Sequence, residues 1–171
     1  MSGMMLENLK LRRETCDDAE FLRLLYRVSR DYELSQIDAP EFLLVPFFEQ
    51  QYALQQVHYE KCYPRVRKAI IEYEGTRIGK VYTDKVNENG GSLRVIDITI
   101  DRPWRGKGIG KHIIKVIQEE ARDAFLPLTL HVHKLNPAVE LYKKLGFRVD
   151  EHREQHVLMK WYSNQFEAWN G

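Results

Sequence analysis

The 171-residue chain has only two cysteines, Cys16 and Cys62, which lie far apart and form no Cys-x-x-Cys pair. A disulfide framework and a thiolate metal site are therefore not expected. The chain also lacks a charge excess: 26 basic side chains meet 25 acidic ones, for a formal net charge of +1. Bulk electrostatics gives no reason to expect a nucleic-acid partner, so any phosphate recognition has to come from a local site. No apolar run approaches the roughly 20 residues needed to cross a bilayer, and no membrane partner is expected. The opening Met1-Ser2-Gly3-Met4-Met5-Leu6-Glu7 has no basic region leading into a long apolar stretch. An ordinary secretory signal is thus not expected, and a cytoplasmic location is. Internal repeats and low-complexity linkers are missing too, so the chain reads as a single domain over residues 1–171. With 43% apolar and 30% charged residues, it has the composition of a globular protein with a substantial core.

Periodicity supplies the elements. Leu9 and Leu11 alternate with Lys10 and Arg12, which predicts a first strand. Thr15-Cys16-Asp17-Asp18 has the form of a capping box opening a helix that runs to about Arg30, with Ala19, Leu22, Leu25 and Tyr26 on one side. Pro40 suits a helix start, and residues 41–63 follow, with Pro46 expected to break or kink them. Strands are predicted over 69–73, 77–84 and 93–100, with turns at Glu74-Gly75-Thr76 and Asn89-Gly90-Gly91. Residues 106–125 carry a helical apolar stripe of Ile109, Ile113, Ile117, Ala121 and Phe125. Leu128, Leu130 and Val132 alternate as a strand. Asn136-Pro137 opens a further helix that Gly146 closes. Strands over 147–149 and 157–161 finish the chain. The order is β-α-α-β-β-β-α-β-α-β-β, a mixed sheet with helices on its faces.

The segment Arg105-Gly106-Lys107-Gly108-Ile109-Gly110-Lys111 lies between an apolar strand and an amphipathic helix. Glycines let a backbone approach a ligand closely, and the free N–H groups of a helix's first turn attract an anion. Arg105, Lys107 and Lys111 add positive charge, so phosphate binding is expected here rather than a plain turn. A dinucleotide fingerprint counted from Gly106 and Gly108 would need glycine where Lys111 stands. A P-loop ending in Gly110-Lys111 would need glycine at Arg105 and a hydroxyl at His112. Both fail on spacing.

The pattern Arg-x-x-Gly-x-Gly at Arg105, Gly108 and Gly110 resembles the coenzyme A pyrophosphate loop of GNAT superfamily N-acetyltransferases. The apolar strand Val95-Ile96-Asp97-Ile98-Thr99-Ile100 before it strengthens the match. So do the later stretches Leu130-His131-Val132-His133-Lys134-Leu135-Asn136-Pro137-Ala138 and Leu141-Tyr142-Lys143-Lys144-Leu145-Gly146-Phe147. The resemblance is close over residues 93–147. It implies an α/β (α+β) fold with a mixed, mostly antiparallel central sheet of about seven strands flanked by about four helices.

It also implies acetyl-CoA as cosubstrate, a primary amine on a small molecule or peptide as acceptor, and direct attack in a ternary complex. By the same resemblance, backbone groups of Ile98 and Ile100, with Thr99, hold the pantetheine arm where two strands diverge. The amides of Gly106, Lys107, Gly108, Ile109, Gly110 and Lys111, beside Arg105, hold the pyrophosphate. Asn136 matches a residue that contacts the cofactor, and it equally suits a helix cap. Tyr142 matches the cofactor-contacting tyrosine that protonates the departing thiolate. A phenol, with its pKa near 10, still carries that proton when the thiolate leaves. Tyr142 also suits the core, since Ala138, Leu141 and Leu145 share its part of the helix.

Asp97, a carboxylate among apolar neighbours, is the candidate base; by alternation it shares a face with Leu93, Val95 and Thr99. A structural hydrogen bond accounts for it equally well. His131 and His133 lie two apart on a strand, with no third ligand suitably spaced, so no metal is expected. Gln50, Gln51, Gln55 and Gln56, with Tyr52, Tyr59 and Tyr63, read as a polar helix face, in the region where the family walls its acceptor pocket. Family members often dimerise, which adds a homodimer to the expectations. A non-catalytic acetyl-CoA-binding regulator is the alternative from another class, and a nucleotide-binding regulator is a third.

Overall fold

The first strand begins as soon as the chain's period becomes two. In a computed structural model of the protein, which describes residues 6–30, 39–87 and 90–164, seven strands form one sheet in the order β1-β2-β3-β4-β5-β7-β6. The strands are β1 (Leu9–Arg13), β2 (Arg67–Tyr73), β3 (Thr76–Val86), β4 (Ser92–Ile100), β5 (Leu128–His133), β6 (Arg148–His152) and β7 (His156–Trp161). The helices are α1 (Ala19–Ser29), α2 (Glu41–Cys62), α3 (Ile109–Asp123) and α4 (Ala138–Lys144). Element order, strand number and helix number agree with the expected α/β (α+β) architecture. The β4–β5 pair is parallel, while β1–β2, β5–β7 and β6–β7 are antiparallel. The residues gather into two compact units.

The first unit spans Met1–Val81 and Thr99–Lys107. Here β1 pairs with β2, Leu11 opposite Ile71. The capping box at Thr15 and Asp18 is present, but it opens a 3-10 turn, Cys16–Asp18, that leads into α1. Asp18 does more than cap. Its fully buried carboxylate takes a two-pronged hydrogen bond from Arg12, at 2.7 and 2.8 Å, and a further contact from Arg77 at 3.4 Å. Arg12 holds the Asp18 carboxyl well below the usual carboxylate range, ahead of the upward push from burial. The network thus ties β1, β3 and the start of α1 together.

Leu22, Leu25 and Tyr26 are the buried side of α1, whereas Ala19 is exposed. α2 runs through Pro46 as one helix, so of the expected break or kink the break does not occur. Pro46 is the sixth residue of α2, so the helix continues without the bond that an N–H there would give to the Phe42 carbonyl. α2 buries Phe48 and Tyr59 and stacks Tyr52 on Tyr26, with ring centroids 5.4 Å apart.

The second unit spans Tyr82–Ile98 and Gly108–Gly171. α3 packs Ile109, Ile113, Ile114, Ile117 and Ala121 inward, and Leu128, Leu130 and Val132 of β5 are buried as alternation predicts. Gln118 of α3 donates to the Leu145 carbonyl at 2.9 Å, which anchors the end of α4. Phe125, expected on the inner stripe, lies beyond α3 and is exposed. Of the turn expected at Asn89-Gly90-Gly91, Asn89 lies outside the described residues, as do Met1 to Met5.

Candidate functional site

β4 changes register along its length. The Leu93 N–H donates to the Pro127 carbonyl on the β5 side at 2.9 Å, whereas the Asp101 N–H donates to the Ile78 carbonyl of β3 at 2.8 Å. In a regular strand, residues an even number apart address the same edge, so β4 has slipped by one residue between them. Pairing with β5 covers only Leu93↔Leu128, Arg94↔Thr129 and Val95↔Leu130, although β4 continues to Ile100 and β5 to His133. From Leu128 to His133, β5 is paired along its other edge with β7. A slip of this kind ends a ladder and re-aims the strand.

The slip sorts the three candidates on β4. A Cβ built on Gly79 would stand 2.5 Å from the Thr99 carbonyl oxygen, so that carbonyl faces β3. By alternation, Ile98 and Ile100 turn their backbone groups to the opposite edge. There the Ile100 carbonyl accepts a hydrogen bond from Arg105 Nε at 2.8 Å. Thr99 therefore does not share the alternation of Leu93 and Val95. Arg105, expected beside a pyrophosphate, fastens the start of the loop to the end of β4, a role its position in the motif did not signal.

The loop itself bends at two glycines. Gly106 has φ +72° and Gly108 φ +80°, in the left-handed region that strains any side chain bearing a Cβ. This is why α3 starts at Ile109 rather than at Gly106, as expected from the apolar stripe. Gly108 is its N-cap, and the His112 N–H makes the turn's bond to the Gly108 carbonyl at 3.0 Å. Ile109, Gly110 and Lys111 thus contribute the N–H groups of a first turn, which a helix's own carbonyls cannot satisfy. Cβ atoms built on Gly106 and Gly110 would meet nothing within 4 Å. Arg105, Lys107 and Lys111 are exposed, while Ile109 is buried and anchors the turn. Open glycine backbone, unmet amides and cationic side chains in one short stretch fit a phosphate group.

Within the second unit, Tyr142 of α4 is buried, 7% exposed, with its ring 5.7 Å from that of Phe147. Burial, and then the negative charge of Asp97, raise its pKa above the ordinary phenol value near 10. Asp97 and Tyr142 lie far apart in the sequence, where nothing signals this coupling. Asp97 itself is half-buried. Asn136 performs its capping role: its Oδ1 accepts from the Ala138 N–H at 2.9 Å.

His131 and His133 are both exposed. His133 packs edge-on with His156 at 5.3 Å and accepts from the Leu135 N–H, while partial desolvation of the ring and then the Arg94 charge hold the His131 pKa down. Among the described residues no group of three or more His, Cys, Asp or Glu side chains is arranged to hold a metal ion. On α2, in the first unit, Gln50 is exposed, whereas Gln55 Oε1 and Gln56 Nε2 are buried without a hydrogen-bond partner. The expected polar face is therefore divided: Gln51, Gln55 and Gln56 are half-buried on the side of Tyr52 and Tyr59, and Gln50 stands outside it.

No curated protein matches the chain significantly in sequence. Solved structures match its fold over nearly its whole length. The PaiA N-acetyltransferase of Thermoplasma acidophilum, in complex with coenzyme A, is 17% identical, with 91% of this chain and 99% of that one covered and a TM-score of 0.67. The spermidine N-acetyltransferase of Vibrio cholerae, in complex with CoA and spermine, is 21% identical, with 94% and 99% covered and a TM-score of 0.66. Naa50 of Arabidopsis thaliana, in complex with the bisubstrate analogue CoA-Ac-MVNAL, is 15% identical, with 91% and 99% covered and a TM-score of 0.58. At these identities the likeness is one of fold. The sequence profile of the Acetyltransferase (GNAT) family matches residues 30–147, more than half of the chain. The chain belongs to the GNAT acetyltransferase family.

Proposed function

We propose that this protein transfers the acetyl group of acetyl-CoA to a primary amine by direct attack in a ternary complex. The observation that carries the proposal is the loop. Two left-handed glycines lead into the first-turn amides of α3, a Cβ on Gly106 or Gly110 would meet nothing within 4 Å, and three cationic side chains lie in the same stretch. A pyrophosphate suits that cradle, held by the amides from Gly106 to Lys111 and the charges of Arg105, Lys107 and Lys111. The backbone of Ile98 and Ile100, turned to the unpaired edge of β4, is the proposed track for the pantetheine arm. Thr99 and Asn136 contribute through the fold, since the carbonyl of one faces β3 and the side chain of the other caps α4.

The chemistry follows from two proton problems. An acceptor amine attacks only after losing its ammonium proton, and Asp97 is the proposed base, directly or through water. As the new C–N bond forms and the C–S bond breaks, the departing thiolate takes the phenolic proton of Tyr142. Burial and the Asp97 charge both favour a protonated Tyr142, which supports the acid role. Bound structures of similar fold hold a polyamine or a peptide-bearing analogue together with CoA, which supports a small-molecule or peptide amine as acceptor. A cytoplasmic setting, where acetyl-CoA is available, completes the reading.

The test is CoA release from acetyl-CoA across a panel of polyamines, amino acids and peptides, comparing wild type with Tyr142→Phe. Turnover on some amine that falls about 10²–10⁴-fold in the variant, with acetyl-CoA affinity kept, supports the proposal. Tight acetyl-CoA binding without turnover on any amine would instead make the protein a non-catalytic acetyl-CoA-binding module.

A further inference from the structure

Both helices of the second unit lie on one side of its strands. Leu128, Leu130 and Val132 of β5 are buried, with α3 packed on that strand. Trp161, opposite Leu128, packs against Gly146 at the end of α4. The alternate residues of β5 therefore look the other way. Register assembles that second side. Thr129 stands opposite Lys160, His131 opposite Leu158 and His133 opposite His156. Arg94 of β4 lies beside Thr129 and donates to its Oγ1 at 3.4 Å. On β6, Arg148 faces Lys160 and Glu151 faces Leu158.

The charges on this side do not cancel. Arg153 holds Glu151 at 3.2 and 3.4 Å, and Lys160 holds Asp150 at 2.7 Å, which occupies both carboxylates of β6. Glu154 belongs to the turn between β6 and β7, off the strands. Among the described residues Arg94 and Arg148 form no ion pair. Three imidazoles, those of His131, His133 and His156, are exposed alongside them. Even when neutral, each can donate one hydrogen bond. His133 Nδ1 accepts from the Leu135 N–H at 3.2 Å, so the ring proton sits on Nε2, free to donate.

We propose that this side of the sheet receives the acceptor, and that the acceptor is an acidic peptide. Arg94 and the ring N–H groups of His131 and His133 hold its carboxylates while its amino group enters the gap between β4 and β5. The inference rests on the acetyl-transfer reading and narrows it. His131 is the first residue of β5 past the last pair with β4, Val95↔Leu130, so it stands where the gap opens. The side away from α3 and α4 is the one that an amine reaches without passing a helix of this unit. A free amino acid is too short for the row. From Thr129, beside Arg94, to His133 the strand covers about 13 Å, the reach of about four extended residues. A polyamine would meet unpaired guanidiniums and no unpaired carboxylate of β6, so like charge repels it.

The experiment uses the full chain with acetyl-CoA. It follows CoA release with Ala-Glu-Ala-Glu, Ala-Gln-Ala-Gln, Ala-Arg-Ala-Arg, free glutamate and spermidine as acceptors. Two anchored carboxylates should place kcat/KM for the acidic peptide about tenfold above the glutamine peptide, mostly through KM. The arginine peptide and spermidine should fall lower still. Salt at about 0.5 M should remove most of the difference, because it screens exposed charges. Arg94→Gln should shrink the acidic-to-neutral ratio about threefold, and Arg94→Lys should restore part of it. A merely structural Arg94 would move both peptides alike. His133→Gln, at an exposed position, repeats the test should Arg94→Gln lose its circular dichroism spectrum. Spermidine or the arginine peptide used as well as the acidic peptide overturns the proposal and leaves acetyl transfer in place. So does free glutamate used as well as the peptide, or a ratio that neither salt nor these variants change. Should no amine turn over, the acetyl-transfer reading fails by itself. Fluorescence anisotropy of labelled acetyl-Ala-Glu-Ala-Glu then decides the surface: saturable, salt-sensitive binding weakened by Arg94→Gln supports it, and its absence overturns it.

Discussion

Gly79 sits where β3 runs against the diverging end of β4, and adding one methyl group there tests the geometry of the proposed arm-binding strand. A Cβ at this position would stand 2.5 Å from the Thr99 carbonyl oxygen, 3.1 Å from Ile100 Cδ1 and 3.3 Å from Ile100 Cα. Two of the three neighbours are backbone and cannot rotate away. Ordinary contact begins near 3.4 Å, so β3 and the end of β4 must part by roughly 0.9 Å. The adjacent bond from the Asp101 N–H to the Ile78 carbonyl, now 2.8 Å, would be stretched to or past the limit of a hydrogen bond.

Gly79→Ala gains about 0.4–1 kcal/mol by restricting the unfolded chain and about 0.8 kcal/mol from the buried methyl group. Against this stand about 1–3 kcal/mol for overpacking, more where backbone must move, and about 1 kcal/mol for the weakened bond. The net is a loss of about 1–2 kcal/mol, read as a fall in melting temperature of about 2–8 °C for a chain of this size. Function should suffer more, because a displacement near 1 Å at a positioning strand costs about 10²-fold in rate. Circular dichroism melts and CoA-release kinetics measure the two effects. A variant that melts as wild type and keeps its kcat/KM would refute both the close approach and the positioning role of β4's last residues.

Three further outcomes are expected. Asp18→Asn should cost about 2–4 kcal/mol, since it leaves Arg12 and Arg77 facing a neutral amide in a buried network. The folded Asp18 carboxyl titrates below its unfolded value, so this stabilisation is present above about pH 4 and fades as pH falls further. Melting temperatures of the two proteins should accordingly converge in acid. Gly108→Glu should abolish acetyl-CoA binding in calorimetric titrations, because it strains the +80° position and sets a negative charge where an anion docks; a folded variant with unchanged affinity would remove the loop from the site. The raised pKa of Tyr142 places the alkaline fall in kcat above pH 10 for wild type, and Tyr142→Phe should erase that limb.

Local signals survived the passage from sequence to structure, and cross-chain ones did not. The Thr15 box, the Asn136 cap and the loop glycines each act within a few residues, so their spacing alone carries them. Pro46 does not break α2, because one lost backbone bond is offset by side-chain packing such as that of Phe48 and Tyr59, which only the folded chain reveals. α3 begins three positions late because Gly106 and Gly108 are left-handed, a conformation the apolar stripe from Ile109 onward cannot report. The slip in β4 was invisible, as Val95 to Ile100 alternates acceptably in either register. Arg12 and Asp18 announced a strand and a cap, but their pairing with Arg77 needed β3 in place. The Arg105 bond to Ile100 likewise became visible only once the strand had diverged.

The coupling of Asp97 to Tyr142 bears on which group removes the amine proton. A carboxylate that makes a buried phenol harder to ionise keeps the proton on it until a thiolate takes it, whether or not the carboxylate also serves as a base. The two roles separate in one variant, Asp97→Asn. If Asp97 only keeps Tyr142 protonated, kcat at neutral pH holds. The alkaline limb then moves down, although burial, the larger cause, keeps it above the ordinary phenol value. If Asp97 also takes the amine proton, kcat falls about 10²–10⁴-fold at neutral pH, and raising the pH far enough to deprotonate the free amine restores part of the loss. A variant with neither change would detach Asp97 from the chemistry, and the base would have to be a water held by backbone along the unpaired edge of β4.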